Sequence, residues 1–220
     1  MKTFTKLQEG VYDPNIFKAF FLAGGPGSGK SYVVRRTTGG MGLKIVNSDN
    51  AFEKLLKDAG LSLKMPPEEL EPRDVVRDKA KALTKKQQSN YIEGRLGLVI
   101  DGTGKNYDKI TKQARDLQQL GYDTHMIFVN TSLDVALERN AQRPRSVDET
   151  IVVKSWKEVQ QNIGKFSNFF KGNFVIVDNN EAGEDVFGEV WKRIKNLVRQ
   201  KVQNTRAKEW IRMELQKKAR

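Results

Sequence analysis

An α/β fold is what this chain of 220 residues predicts: a three-layer sandwich about a five-stranded parallel sheet, with a basic helical extension at the C-terminus. Three observations predict it. Short apolar runs alternate with longer stretches of helical periodicity, the pattern of parallel strands joined by crossover helices. The first of these runs leads directly into a glycine-rich turn, Gly24-Gly25-Pro26-Gly27-Ser28-Gly29, and a helical stretch follows it. Charge is also unevenly placed: residues 192–220 hold 11 Lys/Arg against Glu209 and Glu214, so this segment carries +9 of the net +12 and the preceding 191 residues only +3.

Taken in order, the first strand covers residues 16–23 (IFKAFFLA), and a helix runs from Lys30 to about Thr37 before Gly39-Gly40 stops it. The second strand is 43–47, followed by a helix over 49–59. Residues 61–73 hold three prolines and three glutamates and read as a loop or broken helix, and a long polar helix spans 74–95. The third strand is 98–101 (LVID), with a helix over 107–120 closed by Gly121. The fourth strand is 122–130. Thr131-Ser132 then caps a helix reaching about Gln142, which Pro144 ends. A single helix over 148–170 and a fifth strand over 173–177 follow. Val186, Phe187, Val190, Trp191, Ile194, Leu197 and Val198 recur at helical spacing in a last core helix that leads into the basic tail. The expected organisation is an arm over 1–13, a catalytic domain over 14–191 and a helical tail over 192–220.

Composition removes several functions. Without cysteine there is no disulfide framework or thiolate metal site, and His125 as the single histidine rules against a histidine zinc site. His125 falls in the fourth strand and reads as structural. Any catalytic metal should be bound by oxygen, as Mg²⁺ is. No apolar stretch has the length of a signal-peptide core or a membrane span, so a cytoplasmic location without a membrane partner is expected. Oligomeric state is not encoded in any pattern found.

The run Gly24, Gly29, Lys30, Ser31 satisfies G-x-x-x-x-G-K-[ST], and it sits between a strand and a helix as that motif requires. Backbone N–H groups of such a loop and the N-terminus of the helix form a nest for phosphate oxygens. Gly25, Gly27, Ser28 and Gly29 would supply the nest, Lys30 would bridge the β- and γ-phosphates, and Ser31 would ligate Mg²⁺. Asp101, at the end of the LVID strand, is the carboxylate placed to hold the hydrated metal, although it could instead cap a turn. Thr103 beside it could orient a water or an acceptor. The Asp-Gly-Thr at 101–103 does not signal a phosphatase, because that chemistry needs an aspartate where Val99 stands. Asp49, just past the second strand, suits both a general base for an acceptor hydroxyl and a helix cap. Arg139, Arg143 and Arg145 cluster around Pro144 and suit a lid that neutralises a transferring phosphoryl group, while any one of them also reads as surface charge.

In order and spacing these segments resemble the small P-loop kinases, a P-loop NTPase group that includes zeta-toxin-like kinases and the kinase domain of phage polynucleotide kinase. The resemblance runs over residues 16–180 through GGPGSGKS at 24–31, the Asn47-Ser48-Asp49 turn, LVIDGTGKN at 98–106, VNTSLDVALERNAQRPRS at 129–146 and VIVDNN at 175–180. It implies Lys30 and Ser31 on phosphate and Mg²⁺, Asp49 as general base, the stretch from Arg139 to Arg145 as lid, and Asn179 near the adenine of ATP. Polynucleotide kinases carry arginines beside the catalytic aspartate where this chain has Ser48 and Phe52, and zeta-like kinases phosphorylate a sugar nucleotide. The expectation is Mg²⁺-dependent transfer of the γ-phosphate of ATP to a hydroxyl of a nucleic acid, nucleoside or nucleotide. The alternatives are a sugar-nucleotide kinase and an ATP-switched nucleic-acid-binding protein. The preference for a nucleic-acid-type acceptor rests on the basic tail, which also reads as a solvated helix.

Overall fold

A computed structural model describes residues 10–64, 66–143, 147–181 and 184–219. Its centre is β1 (Lys18–Ala23), whose six residues are all buried, as the uninterrupted apolar run KAFFLA demands of a strand covered on both faces. Around it the sheet is ordered β2-β3-β1-β4-β5 and every pairing is parallel, with β2 at Lys44–Val46, β3 at Leu98–Ile100, β4 at Asp123–Asn130 and β5 at Phe174–Asp178. The five predicted strands and their parallel arrangement are all present.

Alternation along β1 divides the core. Phe20 and Leu22 join Val99, Ile127 and Val175 under α1 (Lys30–Thr38) and α8 (Glu184–Arg199). Ala19 and Phe21 join Leu98, Met126 and Phe128 under α4 (Tyr107–Gln119) and α7 (Ile163–Phe170). A third cluster, Phe52, Leu56, Val76 and Ala80, belongs to α2 (Ser48–Asp58) and α3 (Leu70–Glu93), which pack on each other with the Arg77 guanidinium 4.2 Å from the Phe52 ring centre.

Several boundaries differ from the sequence reading for local reasons. The first strand starts at Lys18 because Phe17 adopts φ 57, which no strand residue can. The long polar helix starts at Leu70, after a single 3-10 turn at Pro67–Glu69; Pro72 lies in its first turn, where a missing N–H has no partner to lose. The helix expected over 148–170 is two, α6 (Glu149–Gln160) and α7, because Asn162 at the break donates its amide to the carbonyls of Gly104 and Lys105 at 3.0 and 2.8 Å. α5 (Leu133–Ala141) is capped by Ser132 as expected; Pro144, assigned to end it, lies outside the described residues.

The basic tail is also interrupted. α8 runs to Arg199, so the expected boundary at residue 192 falls within a helix, and α9 (Thr205–Lys218) begins after a turn. That turn is fastened by Asp123, whose carboxylate accepts from the N–H groups of Gln203 and Asn204 at 2.9 and 3.0 Å and from Lys18 at 2.9 Å. α9 lies on the body: Ala207 is fully buried and Trp210 packs edge-on to Phe17 at 5.4 Å. Both contacts are at the N-terminal ends of β1 and β4.

Candidate active site

Parallel strands present their C-terminal ends along one edge, and there a cleft of about 620 Å³ opens. The phosphate loop forms its floor. Gly27 and Gly29 have φ 76 and 79, and each is also pressed against a neighbour: a Cβ on Gly27 would strike the Ala136 carbonyl, and one on Gly29 would lie 2.5 Å from Asn179 Nδ2. Only glycine fits either place. Gly29 caps α1 without a side-chain hydrogen bond, and since the Tyr32 N–H already donates to the Gly29 carbonyl, the N–H groups of Lys30 and Ser31 are the ones open to an anion. Gly25 lies under the Trp156 backbone, and Trp156 Nε1 holds the Thr131 carbonyl at 2.8 Å.

Lys30 folds its ammonium back onto the loop, donating to the carbonyls of Gly24 and Gly25 at 2.6 and 3.2 Å. Burial holds its pKa below the usual lysine value, Asp101 and Asp49 oppose that shift, and the positive Arg143 adds to it. Asp101 shows the opposite effect: burial raises its pKa, with Lys30 opposing and Asp49 reinforcing. One carboxylate oxygen, Oδ2, accepts from Asn47 Nδ2 at 2.7 Å; the other, Oδ1, is buried and has no hydrogen-bond partner among the described residues. A buried, unpartnered carboxylate oxygen facing a lysine and a phosphate loop is the donor a hard cation or its water would use, and the Ser31 hydroxyl lines the same cleft. These residues fit Mg²⁺. The Ser28 hydroxyl is likewise buried without a partner, inside the loop.

Asp49 lines the cleft near the mouth, exposed in the first turn of α2. It does not cap that helix; Asn47 does, accepting from the Asp49 N–H at 2.7 Å. Thr103 also lines the cleft, and its carbonyl accepts from Gly24 N–H at 2.9 Å.

The arginines divide. Arg139 donates Nη1 to the Asn179 carbonyl at 2.6 Å and Nη2 to the Asn180 carbonyl at 2.9 Å, while Asn179 Nδ2 donates to the Ser28 carbonyl at 2.8 Å. α5 is thereby tied through the β5–α8 turn to the phosphate loop. Arg143, beyond the end of α5, lines the cleft and acts on Lys30 through charge. Arg145 lies outside the described residues. The structure thus brings Lys30, Ser31, Asp49, Asp101, Arg139 and Arg143 to one cleft, with Gly25, Gly27 and Gly29 in its floor and Ser28 and Asn179 immediately behind.

Asn47 is the contributor the sequence reading passed over. It stands at the end of β2 and holds both the base candidate and the metal candidate through one amide. An asparagine directly before a helix start was the available signal. Tyr32, Arg35, Asn50 and Glu53 also line the cleft, between the facing ends of α1 and α2, and no motif marked them.

The sequence model of the zeta toxin family matches residues 6–187. The chain belongs to the zeta toxin family. Among solved structures it is similar to the PezAT toxin–antitoxin system of Streptococcus pneumoniae, with TM-score 0.55 and 16% identity over 82% of this chain and 83% of that one. It is also similar to a gluconokinase from Sinorhizobium meliloti, with TM-score 0.52 and 14% identity over 84% and 95% of the two chains. For the Pnkp1/Rnl/Hen1 RNA repair complex the TM-score is 0.53, with 19% identity over 69% of this chain and 47% of that one. A comparison with curated proteins found no match. At such identities the structural likenesses establish a shared P-loop kinase fold. Among the described residues no helix is long and apolar enough to cross a membrane.

Proposed function

We propose that this zeta toxin family member is a kinase that moves the γ-phosphate of ATP to a hydroxyl of an acceptor bound between α1 and α2. The observation that carries the proposal is the convergence, in one cleft, of a phosphate loop with its lysine, a carboxylate with an unpartnered buried oxygen, and a second carboxylate at the mouth. In this reading Gly25 to Gly29 and the α1 N-terminus cradle the phosphates, and Lys30 leaves the Gly24 and Gly25 carbonyls for the β- and γ-phosphates. Ser31 and Asp101 hold Mg²⁺, which supplies neutralisation of the phosphate charge. Asp49 accepts the hydroxyl proton as the acceptor oxygen bonds to the γ-phosphorus and the bond to ADP breaks. Arg143, together with Arg145, offsets charge on the transferring group. Arg139 with Asn179 shapes the nucleotide side.

The acceptor reading shifts with the structure. The tail that favoured a nucleic-acid substrate packs at the N-terminal ends of the strands, and β1 alone puts about 20 Å between that edge and the cleft. A small acceptor of sugar-nucleotide or nucleotide type, the former implied by the family resemblance, therefore suits the cleft better than a polynucleotide end. A screen with γ-labelled ATP and Mg²⁺ against sugar nucleotides, nucleotides, nucleosides and 5′-hydroxyl oligonucleotides tests this, with Lys30→Ala as blank. Label on one small acceptor class, lost in Asp49→Asn as well as in the blank, is the expected result. Tight ATP binding without transfer to any acceptor would overturn the kinase reading.

A further inference from the structure

A second concavity, about 330 Å³, lies well away from the phosphate loop. Its walls are the glycines that end α1, Gly39 and Gly40, with Pro14 and Met41, and α8, where partly exposed Trp191 and Lys195 and exposed Arg199 stand beside buried Val198. α1 starts at the cleft and extends about 13 Å from it, so a groove at its far end serves no group in the cleft.

Trp191 is half-buried, and its face carries the ammonium of Lys195, 4.1 Å from the ring centre. The covering atom is the end of a flexible side chain, which a flat group could displace without disturbing the core. Lys192, Lys195 and Arg199 are spaced three and four apart and so share one side of α8. The chain then passes through exposed Lys201 into α9, which presents Lys208 and Arg212 to solvent four residues apart. An indole with one cation on its face and others beside it, in a segment of net +9, matches a polyanion whose flat groups are free to stack.

We infer that the Trp191 groove and the neighbouring cations of α8 form a binding surface for single-stranded nucleic acid, separate from the phosphotransfer cleft. Unpaired bases stack on Trp191, and Lys192, Lys195 and Arg199 follow the phosphates. A duplex keeps its base faces inside the stack and offers this groove only its backbone. An acidic protein would meet the charge without using the indole, whereas a lipid surface could take both, so vesicle binding is an arm of the test.

The test is fluorescence anisotropy of a labelled oligouridylate of about 20 nucleotides, without ATP or Mg²⁺, so that its outcome is independent of kinase activity. Binding should weaken linearly on a log–log plot against salt. Trp191→Leu, which retains apolar volume, should weaken it about tenfold. The pair Lys195→Gln/Arg199→Gln, which removes two charges and, at Lys195, the contact with the Trp191 ring, should weaken it and flatten the salt slope by about 1.4. No binding at low salt, binding unchanged in both variants, or equal affinity for duplex or for phosphatidylserine vesicles would overturn the inference.

Discussion

Two lysine–aspartate pairs stand at opposite edges of the same sheet, and they differ in what is left unfinished. At the N-terminal edge Lys18 and Asp123 form a direct 2.9 Å ion pair, both almost wholly buried, and the remaining capacity of Asp123 is taken by the N–H groups of Gln203 and Asn204. At the C-terminal edge Lys30 turns to two loop carbonyls, and Asp101 keeps a buried oxygen with no partner among the described residues. A satisfied pair specifies where α9 sits. A pair held apart keeps its charges for a ligand, at a cost in stability that the first pair does not carry.

Exchanging the chemistry at the two edges should give opposite results. Asp123→Ala leaves the Lys18 ammonium buried without a counter-charge and releases the α9 turn, so a loss of about 3–5 kcal/mol is expected in denaturant unfolding. Transfer activity per folded molecule should not change, because the cleft is at the other edge. Asp101→Asn should do the reverse. Burial already raises the pKa of Asp101, so a neutral amide relieves the fold, and the thermal midpoint should stay or rise. Phosphoryl transfer should fall at least about 10²-fold. A destabilised Asp101→Asn with normal activity would dissolve the distinction between the edges.

His125 sharpens the comparison from the structural side. It is buried, stacked on Phe20 at 4.7 Å, and its pKa is pushed down to about 4, first by burial and then by Lys18, against the opposing pull of Asp123. The folded value lies below the roughly 6.5 of an unfolded histidine, so between the two the unfolded chain holds a proton that the folded chain excludes. Stability should therefore fall as pH drops from about 6.5 through 4, with His125 contributing up to about 3 kcal/mol. In His125→Phe that part of the slope should vanish when denaturant midpoints are followed across the range. Parallel slopes for the two proteins would remove His125 from the account.

How much of this was legible in the sequence depended on the range of the interaction. The phosphate loop was legible because its glycines answer to a local backbone requirement that φ 76 and 79 at Gly27 and Gly29 meet. The central strands were legible because burial on both faces writes continuous apolar runs such as KAFFLA, and the edge strands because they keep a short apolar run even with Ile45 and Ile176 exposed. The break at Asn162 was not, since its cause is a pair of carbonyls near residue 104 that no local pattern announces. The bonds of Arg139 to the turn after β5 were hidden for the same reason, forty residues away in the chain. The seat of α9 was unreadable because Asp123 looked like an ordinary polar residue at a strand end.

Asn47 gives the smallest effect and the closest discrimination, because one side chain does a structural job and a site job. Its Oδ1 caps α2 and its Nδ2 holds Asp101. Asn47→Ala removes both, and should cost about 1 kcal/mol of stability through the cap. The hydrogen bond to the Asp101 carboxylate is a charged one, and its loss should lower kcat about tenfold. Asn47→Ser separates the two, since a serine hydroxyl caps a helix but falls short of Asp101. Its unfolding midpoint should match the native protein while its kcat matches the alanine variant. If serine restored kcat along with stability, the cap alone would be what the cleft needs, and the Asn47–Asp101 bond would belong with the structural pair at the other edge.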